Sequence, residues 1–250
     1  MRLNALVARL DDELSAEKFT DYCPNGLQVQ GRDEVRKIVS GVTASEALID
    51  AAIATSADAI LVHHGYFWKG EAAPVVGMKR RRLAKLLAHD ISLIAYHLPL
   101  DARPTLGNNA QLAGRLGLLR ECALYGDPRQ VGDVGRLEKP MTAKAFAEHI
   151  AHVLQRKPLH VAGGPALIQR VAWCTGGAQG FIERAASHGV DAYISGEISE
   201  PTVHVARECG LHYFAAGHHA TERYGVRALG EWCAENLGLS HEFIDCDSPA

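Results

Sequence analysis

Short apolar runs alternate with amphipathic stretches along most of this 250-residue chain. Residues 37–42, 58–64 and 91–97 have the continuous apolar character of strands that are buried on both faces. Apolar residues at 45–54 and 78–89, between these strands, recur at helical spacing. This strand–helix–strand alternation predicts an α/β protein with mostly parallel or mixed sheets and helices on both faces.

The second half of the chain repeats the pattern. Strands are predicted at 171–174, 191–195, 212–217 and 242–246, and helices at 142–155, 181–187, 201–208 and 221–237. In each half a second strand begins with Asp-Ala, at Asp58 and at Asp191, and a third strand is followed by His-x-x-x-acid. These matches favour an internal duplication. We therefore predict two related α/β lobes, residues 1–125 and 126–250, with the boundary in the turn-rich stretch 118–140.

Composition limits the class of protein. Hydrophobic content of 47% and charged content of 22% are typical of a globular chain with a full core. The first 19 residues form an amphipathic helix and not a signal peptide, and no apolar run approaches the roughly 20 residues of a membrane-spanning helix. Six cysteines without a C-x-x-C pair indicate reduced thiols, so we expect a cytoplasmic protein without membrane contact. The net charge of −3 disfavours nucleic acid as a partner.

Polar residues cluster where predicted strands end, which is where open α/β sheets bind ligands. They are His63, His64, His97, Asp101, His218, His219 and Glu222. Imidazole and carboxylate without thiolate suit zinc, iron, manganese, nickel or cobalt. Adjacent histidines of a regular strand point to opposite sides, so His63 and His64 either serve different ions or the strand ends between them. A hydrogen-bonded polar network is the alternative, but the convergence on equivalent strand ends favours a metal site.

Two further features bear on ligand binding. Three successive aromatic residues at 66–68 cannot all be core, so some of them wall a pocket or an interface, and Lys69 follows them. The glycine-rich loop 175–180 (TGGAQG) precedes a predicted helix and could hold an anion, although it lacks the lysine of a Walker motif. Asn25 and Gln28 have only a turn interpretation from the residues alone.

Several segments resemble the GTP cyclohydrolase I type 2 homologue family, the Nif-three-like proteins. They are DYCPNGLQVQG, GVTAS, ADAILVHHGYFWKG, YHLPLDA, GNNAQLA, WCTGGAQGFI, DAYISGE and AGHHATER. The resemblance covers essentially the whole chain and is to the compact bacterial form. It implies two α/β lobes with a dinuclear metal site in the cleft between them, and a toroidal homohexamer built as a trimer of dimers.

The resemblance also implies roles for individual residues. The implied metal ligands are His63, His64, Asp101, His218 and Glu222. Glu222 would bridge the two divalent transition-metal ions, while His97 and His219 would support the ligands from outside. Lys69, Trp68, Asn25 and Gln28 are candidate substrate contacts. No catalytic residue is assigned.

Two functions fit these expectations. The first is a metal-dependent, cyclohydrolase-like hydrolase acting on a small nucleotide-like substrate, because five protein ligands cannot saturate two ions and leave positions for water. Two ions roughly 3.5–4 Å apart make a hydroxide nucleophile from water near neutral pH. The alternative is a non-enzymatic protein that traffics metal or forms a ring-shaped scaffold for partners. A ring acting on DNA is disfavoured by the acidic net charge.

Overall fold

The computed structural model of the chain describes residues 1–127 and 131–250. The helices are α1 Leu3–Leu14, α2 Glu46–Ala54, α3 Gly77–Ala88, α4 Leu98–Ala102, α5 Asn108–Leu116, α6 Ala143–Leu154, α7 Ile182–Ser187, α8 Glu200–Glu208 and α9 His218–Leu237. The strands are β1 Gly26–Val29, β2 Lys37–Thr43, β3 Ala59–His64, β4 Ser92–Ala95, β5 Leu118–Ala123, β6 Asp133–Met141, β7 Leu159–Val161, β8 Ile168–Trp173, β9 Ala192–Ser195, β10 His212–Ala215 and β11 Ser240–Phe243. None of the described helices is long and apolar enough to span a membrane.

The chain is an α/β protein that divides into two compact units, here called lobes. The first lobe is Met1–Leu100 with Gly225–Asp247, and the second lobe is Asp101–Tyr224 with Ser248–Ala250. The division differs from the predicted boundary near residue 125 because the stretch 118–140 is mostly sheet, with β5 paired to β6. Residues 128–130 of that stretch lie outside the described residues. The first lobe also takes in β11, which pairs with β2.

The first lobe is built on a five-stranded sheet in the order β1-β4-β3-β2-β11. Only β1 is antiparallel to its neighbour within this sheet. The predicted buried strands are confirmed, since Ile60 and Leu93 are fully buried and pack with Leu48 of α2 and Leu86 of α3. Helix α1 also has the predicted amphipathic pattern, with one buried stripe of leucines.

The second lobe is built on a six-stranded sheet in the order β5-β6-β8-β9-β10-β7. Strands β8, β9 and β10 are parallel to one another. Strands β6 and β7 run antiparallel to them on either side, and β5 runs antiparallel to β6. Trp173, Phe146 and Phe214 form the centre of its core, and the two phenylalanine rings meet edge to face at 5.3 Å. Carboxyl ends of the three parallel strands lie at one edge, so the loops after them come together.

The two lobes repeat one arrangement. The strand order β1-β4-β3-β2 in the first sheet matches the order β7-β10-β9-β8 in the second. In both, the first strand is antiparallel to its neighbour and the other three are parallel to one another. Asp58 accepts hydrogen bonds from the backbone N–H groups of Arg36 and Lys37, at 2.8 and 3.0 Å. Asp191 accepts from two adjacent N–H groups of β8 in the same way. The paired Asp-Ala motifs in the sequence therefore mark equivalent hydrogen bonds at equivalent strand starts.

Candidate metal centre

Three histidines gather at the carboxyl ends of β3 and β4 in the first lobe. The ring of His63 is centred 4.6 Å from that of His64 and 5.0 Å from that of His97. One ligand atom from each of the three lies within 4.8 Å of the others. Strand β3 includes both residues and ends at His64, so the alternative that the strand ends between them is wrong.

The hydrogen bonds of His63 fix which of its ring nitrogens can bind a metal. His63 is fully buried, and its Nδ1 lies 2.9 Å from the carbonyl oxygen of Tyr96. A carbonyl oxygen only accepts, so Nδ1–H donates and Nε2 keeps its lone pair. His64 is held similarly, with Nδ1 3.1 Å from the hydroxyl of Thr43. Metal-binding histidines are typically anchored in this way through the second ring nitrogen.

A buried carboxylate holds His97. Nδ1–H of His97 donates to Asp21 at 2.7 Å, and the same carboxylate accepts from the side chain of Asn25 and from the backbone of Leu98. Burial alone would raise the pKa of Asp21, but the hydrogen bonds from His97 and Asn25 outweigh it and lower this pKa to about 2. The carboxylate is ionised at neutral pH and fixes the proton of His97 on Nδ1. Sequence reasoning missed Asp21, whose only signal is its place at the start of the segment DYCPNGLQVQG.

Asn25 and Gln28, two of the candidate substrate contacts, brace the loops of the first lobe. Asn25 accepts the backbone N–H of His97 at 2.8 Å while its amide donates to Asp21. Gln28 accepts the backbone N–H of Tyr66 at 2.7 Å and donates to the carbonyl of the same residue at 3.1 Å. Both amides are therefore committed to holding the histidine loops in place.

The aromatic residues after His64 divide as expected between core and surface. Tyr66 is buried and its hydroxyl donates to the carbonyl of Ala44 at 2.7 Å. Phe67 is exposed, and Trp68 is half-buried beside His97, with the two rings edge to face at 5.0 Å. Trp68 thus lies at the border of the histidine cluster, where a bound molecule could reach it.

In the second lobe, His218 and Glu222 face each other on α9. The helix begins at His218, three residues earlier than predicted, so the two residues are one turn apart and share a face. Nε2 of His218 lies 3.1 Å from Oε2 of the buried Glu222. His219, the next residue, is half-buried, and its backbone N–H donates to the carbonyl of Ala250.

Glu197, two residues after the end of β9, anchors the other nitrogen of His218. Nδ1–H of His218 donates to Glu197 at 2.7 Å. Burial lowers the pKa of His218, but Glu222 and Glu197 together outweigh it and raise this pKa to about 9. The hydrogen bond between His218 and Glu197 resembles the one between His97 and Asp21 in the first lobe. Glu197 was not predicted as a site residue, although it follows the strand that corresponds to the one ending in His63 and His64.

The glycine-rich loop after β8 packs against Glu222 and does not form an anion cradle. Backbone N–H groups of Thr175, Gly176 and Ala178 donate to side-chain oxygens of the second lobe at 3.1, 3.0 and 3.2 Å. Gly176 has φ +68°, and a Cβ there would lie 2.0 Å from Oε1 of Glu222 and 3.1 Å from Nε2 of His218. Only glycine permits this close approach of the backbone to the two side chains.

Asp101 is buried and held by neighbouring polar groups. Its Oδ1 accepts from the amide of Asn108 at 2.8 Å and from the hydroxyl of Thr175 at 3.4 Å. The amide of Asn109 donates to the backbone carbonyl of Asp101 at 3.2 Å. Sequence reasoning missed both asparagines. Their signal was two adjacent amides at buried positions in the first turn of a helix.

The donor atoms in the two lobes fit divalent first-row transition metals. The first lobe offers imidazoles, and the second offers an imidazole with two buried carboxylates. Burial, reinforced by the charge of Asp21, raises the pKa of the Cys23 thiol to about 12. Burial also raises the pKa of Cys174 well above its usual value. Both thiols are protonated at neutral pH in the absence of a bound metal, and the donors of the candidate ligand set are nitrogen and oxygen.

Comparison with known proteins gives one consistent result. The model of the Duf34/NIF3 family (NGG1p interacting factor 3) matches residues 1–249. A Pseudomonas aeruginosa protein named GTP cyclohydrolase 1 type 2 homolog is 58% identical over 99% of this chain and 98% of its own length. The Escherichia coli protein of that name is 53% identical over the full length of both.

Solved structures agree with this assignment. The structural-genomics protein ybgI, described as of unknown function, superimposes with a TM-score of 0.97 at 53% identity over all of both chains. The Thermus thermophilus protein TTHA1606 does so with a TM-score of 0.91 at 34% identity, again over all of both chains. The resemblance of the sequence motifs is thereby confirmed, and the chain belongs to the Duf34/NIF3 family.

Proposed function

We propose that the protein binds two divalent transition-metal ions and is a metal-dependent, cyclohydrolase-like hydrolase of a small nucleotide-like substrate. The proposed ligands are His63, His64, Asp101, His218 and Glu222. One observation carries the proposal: His218 is anchored through Nδ1 on Glu197 while its Nε2 lies 3.1 Å from the buried Glu222 carboxylate. Bound ions would supply Lewis acidity and would lower the pKa of a water molecule bound to them to near neutral.

The chain's own residues contribute orientation and proton placement. Asp21 keeps the proton of His97 on Nδ1, so Nε2 of His97 is the nitrogen that can accept a hydrogen bond from a ligand. Asn108 and Thr175 fix the carboxylate of Asp101 in one orientation. The relatives' name, GTP cyclohydrolase 1 type 2 homolog, supports the reaction class.

We expect metal-reconstituted protein to hydrolyse at least one compound in a screen of nucleotides and small heterocyclic metabolites. Asp101→Ala should abolish that turnover, because it removes a buried ligand, whereas Asp12→Ala on the exposed face of α1 should retain it. Product formation by mass spectrometry is the measurement. Turnover that is equal in the two variants would contradict the proposal.

A second function, metal trafficking, is favoured by the electrostatics of His218. In the metal-free protein the pKa of His218 is raised to about 9, so a proton competes with metal for Nε2 at neutral pH. Such a site exchanges its metal more readily. A carrier would lose its ions to a weak chelator within minutes and turn over none of the screened compounds, whereas the hydrolase should keep its ions through dialysis.

The same pKa predicts how metal affinity depends on pH. Because the pKa of His218 in the metal-free fold is about 9, its Nε2 is protonated below that pH and must lose the proton before it binds metal. We expect affinity to rise by up to roughly tenfold per pH unit between pH 7 and pH 9. Competition titrations with a chromophoric chelator at pH 7, 8 and 9 measure this. In Glu197→Gln the rise should shift to lower pH, and a flat profile in the unmodified protein would contradict the prediction.

A further inference from the structure

An exposed tyrosine lies beside the histidine cluster of the first lobe. The side chain of Tyr22 is 64% exposed, although it is flanked by the buried Cys23 and the buried carboxylate of Asp21. Its ring is centred 6.5 Å from that of His97 in an edge-to-face arrangement. Ligand sites are typically lined by aromatic side chains beside a few polar groups, and Tyr22 has this setting.

The backbone of Tyr22 is fixed on both sides. Its N–H donates to Asp21 at 2.6 Å, and its carbonyl accepts the backbone N–H of Lys69 at 2.6 Å. The second bond ties the tyrosine loop to the aromatic loop that follows His64. The backbone of Tyr22 is therefore held at a defined place, while its ring stays accessible.

Trp68 forms a second aromatic surface beside the same histidine. Its ring is edge to face with His97 at 5.0 Å and lies 6.0 Å from the ring of His64. The indole N–H donates to the carbonyl of Gly65 at 3.1 Å, which fixes the plane of the ring. Tyr22 and Trp68 thus both flank His97.

The loop that carries Trp68 has a strained backbone. Phe67 has φ +63°, a conformation that is rare and costly for a bulky aromatic residue. The ammonium group of Lys79 lies 5.3 Å from the centroid of its ring and helps to hold it. Strain of this kind persists where the surrounding structure requires it, and the strained residue directly precedes Trp68.

A lysine follows Trp68 in the chain, and its backbone N–H is the group that bonds the carbonyl of Tyr22. Lys69 is exposed, and among the described residues no carboxylate forms an ion pair with its ammonium group. The neighbouring lysine of the same surface, Lys79, is by contrast paired with Glu71 at 3.1 Å. The ammonium of Lys69 is therefore available to an anionic group of a ligand.

We infer that Tyr22 and Trp68 bind a planar aromatic heterocycle by stacking, and that Lys69 binds an anionic group attached to that heterocycle. The inference rests on the proposed function, because a ring bound here lies beside His63, His64 and His97. Stacking on aromatic side chains accepts any flat π system, so the site selects a class of molecule and not one base. Tyr22 becomes a specificity-determining residue that recognises the ring of the substrate.

Isothermal titration calorimetry on the full-length, metal-loaded protein tests the inference. The probes are guanosine, adenosine, cytidine and flavin mononucleotides, with ribose 5-phosphate as the probe that keeps the phosphate and lacks the ring. Tyr22→Leu and Trp68→Leu should each weaken the binding of the ring-bearing probes roughly tenfold or more. Tyr22→Phe keeps the ring and should stay close to the unmodified protein. Lys69→Gln should weaken all the probes.

Three results would overturn the inference. The first is that both leucine variants bind the mononucleotides as tightly as the unmodified protein does. The second is that the leucine variants lose as much affinity for ribose 5-phosphate as for the mononucleotides. The third is that the unmodified protein binds no mononucleotide. Melting temperatures check that the variants fold. Ring-dependent binding without hydrolysis of any compound would uphold this inference and reject the hydrolase. Hydrolysis that is as fast in Tyr22→Leu as in the unmodified protein would uphold the hydrolase and reject this inference.

Discussion

Glu222→Ala is expected to retain essentially no metal after gel filtration. In the proposed site Glu222 would be a ligand of both ions, so its removal would take a ligand from each and leave two like charges less screened. Glu222 is 3% exposed, and its Oε2 lies 3.1 Å from Nε2 of His218, the proposed ligating nitrogen. A water molecule in place of the carboxylate is neutral, so it would leave positive charge of the ions uncompensated at a buried position. Elemental analysis of purified, reconstituted protein gives the ion count per chain.

The other ligand variants set the scale for that result. Asp101→Ala and His63→Ala should each lose mainly one ion. His97→Ala removes a supporting group and should cost roughly 10–100-fold in affinity while keeping most of the metal. Glu235→Ala, an exposed position on the same helix, is the matched control and should keep both ions. If Glu222→Ala keeps as much metal as His97→Ala, Glu222 does not bridge.

Gly176→Ala is expected to destabilise the fold and to displace the Glu222 carboxylate. The residue has φ +68°, which costs an L-residue about 1–2 kcal/mol, and its new Cβ would lie 2.0 Å from Oε1 of Glu222. Because this clash is with the proposed bridging group, we expect metal affinity to fall by at least roughly tenfold as well. Thermal denaturation and metal titration measure the two effects.

Gly180→Ala in the same loop is the matched control for this substitution. A Cβ at Gly180 meets no atom within 4 Å, so neither the stability nor the metal content should change. Equal metal content in the two alanine variants would show that the close approach of Gly176 to Glu222 is unimportant for binding.

The fold could be predicted from the sequence where burial leaves a strong pattern. Strands such as β3 are buried on both faces, and their continuous apolar runs are easily recognised. Strands β1 and β7 were missed because they are short and lie at the edges of their sheets, where the pattern is weak. The start of α9 was missed because Gly217, with φ +101°, leads directly into the helix without a capping side chain in the sequence.

The proposed metal ligands could be predicted because they follow strand ends, and strand ends can be found from periodicity. Their supporting groups could not. Asp21 contacts His97 across 76 residues of chain, and Glu197 contacts His218 across 21. Hydrogen bonds between positions so far apart depend on the packed fold, and no local pattern in a single sequence reports them.

The position of β11 has a consequence for how the protein is made. Strand β2 receives this neighbour only after residues 240–243 have been synthesised, whereas residues 101–224 of the second lobe form one continuous segment. At roughly 5–20 residues per second, the ribosome needs about 10–40 s to travel from β2 to β11. During that interval one side of β2 exposes unpaired backbone, which is the kind of edge that pairs with other chains. The nascent chain therefore carries an open sheet edge throughout the synthesis of its second lobe, until β11 emerges.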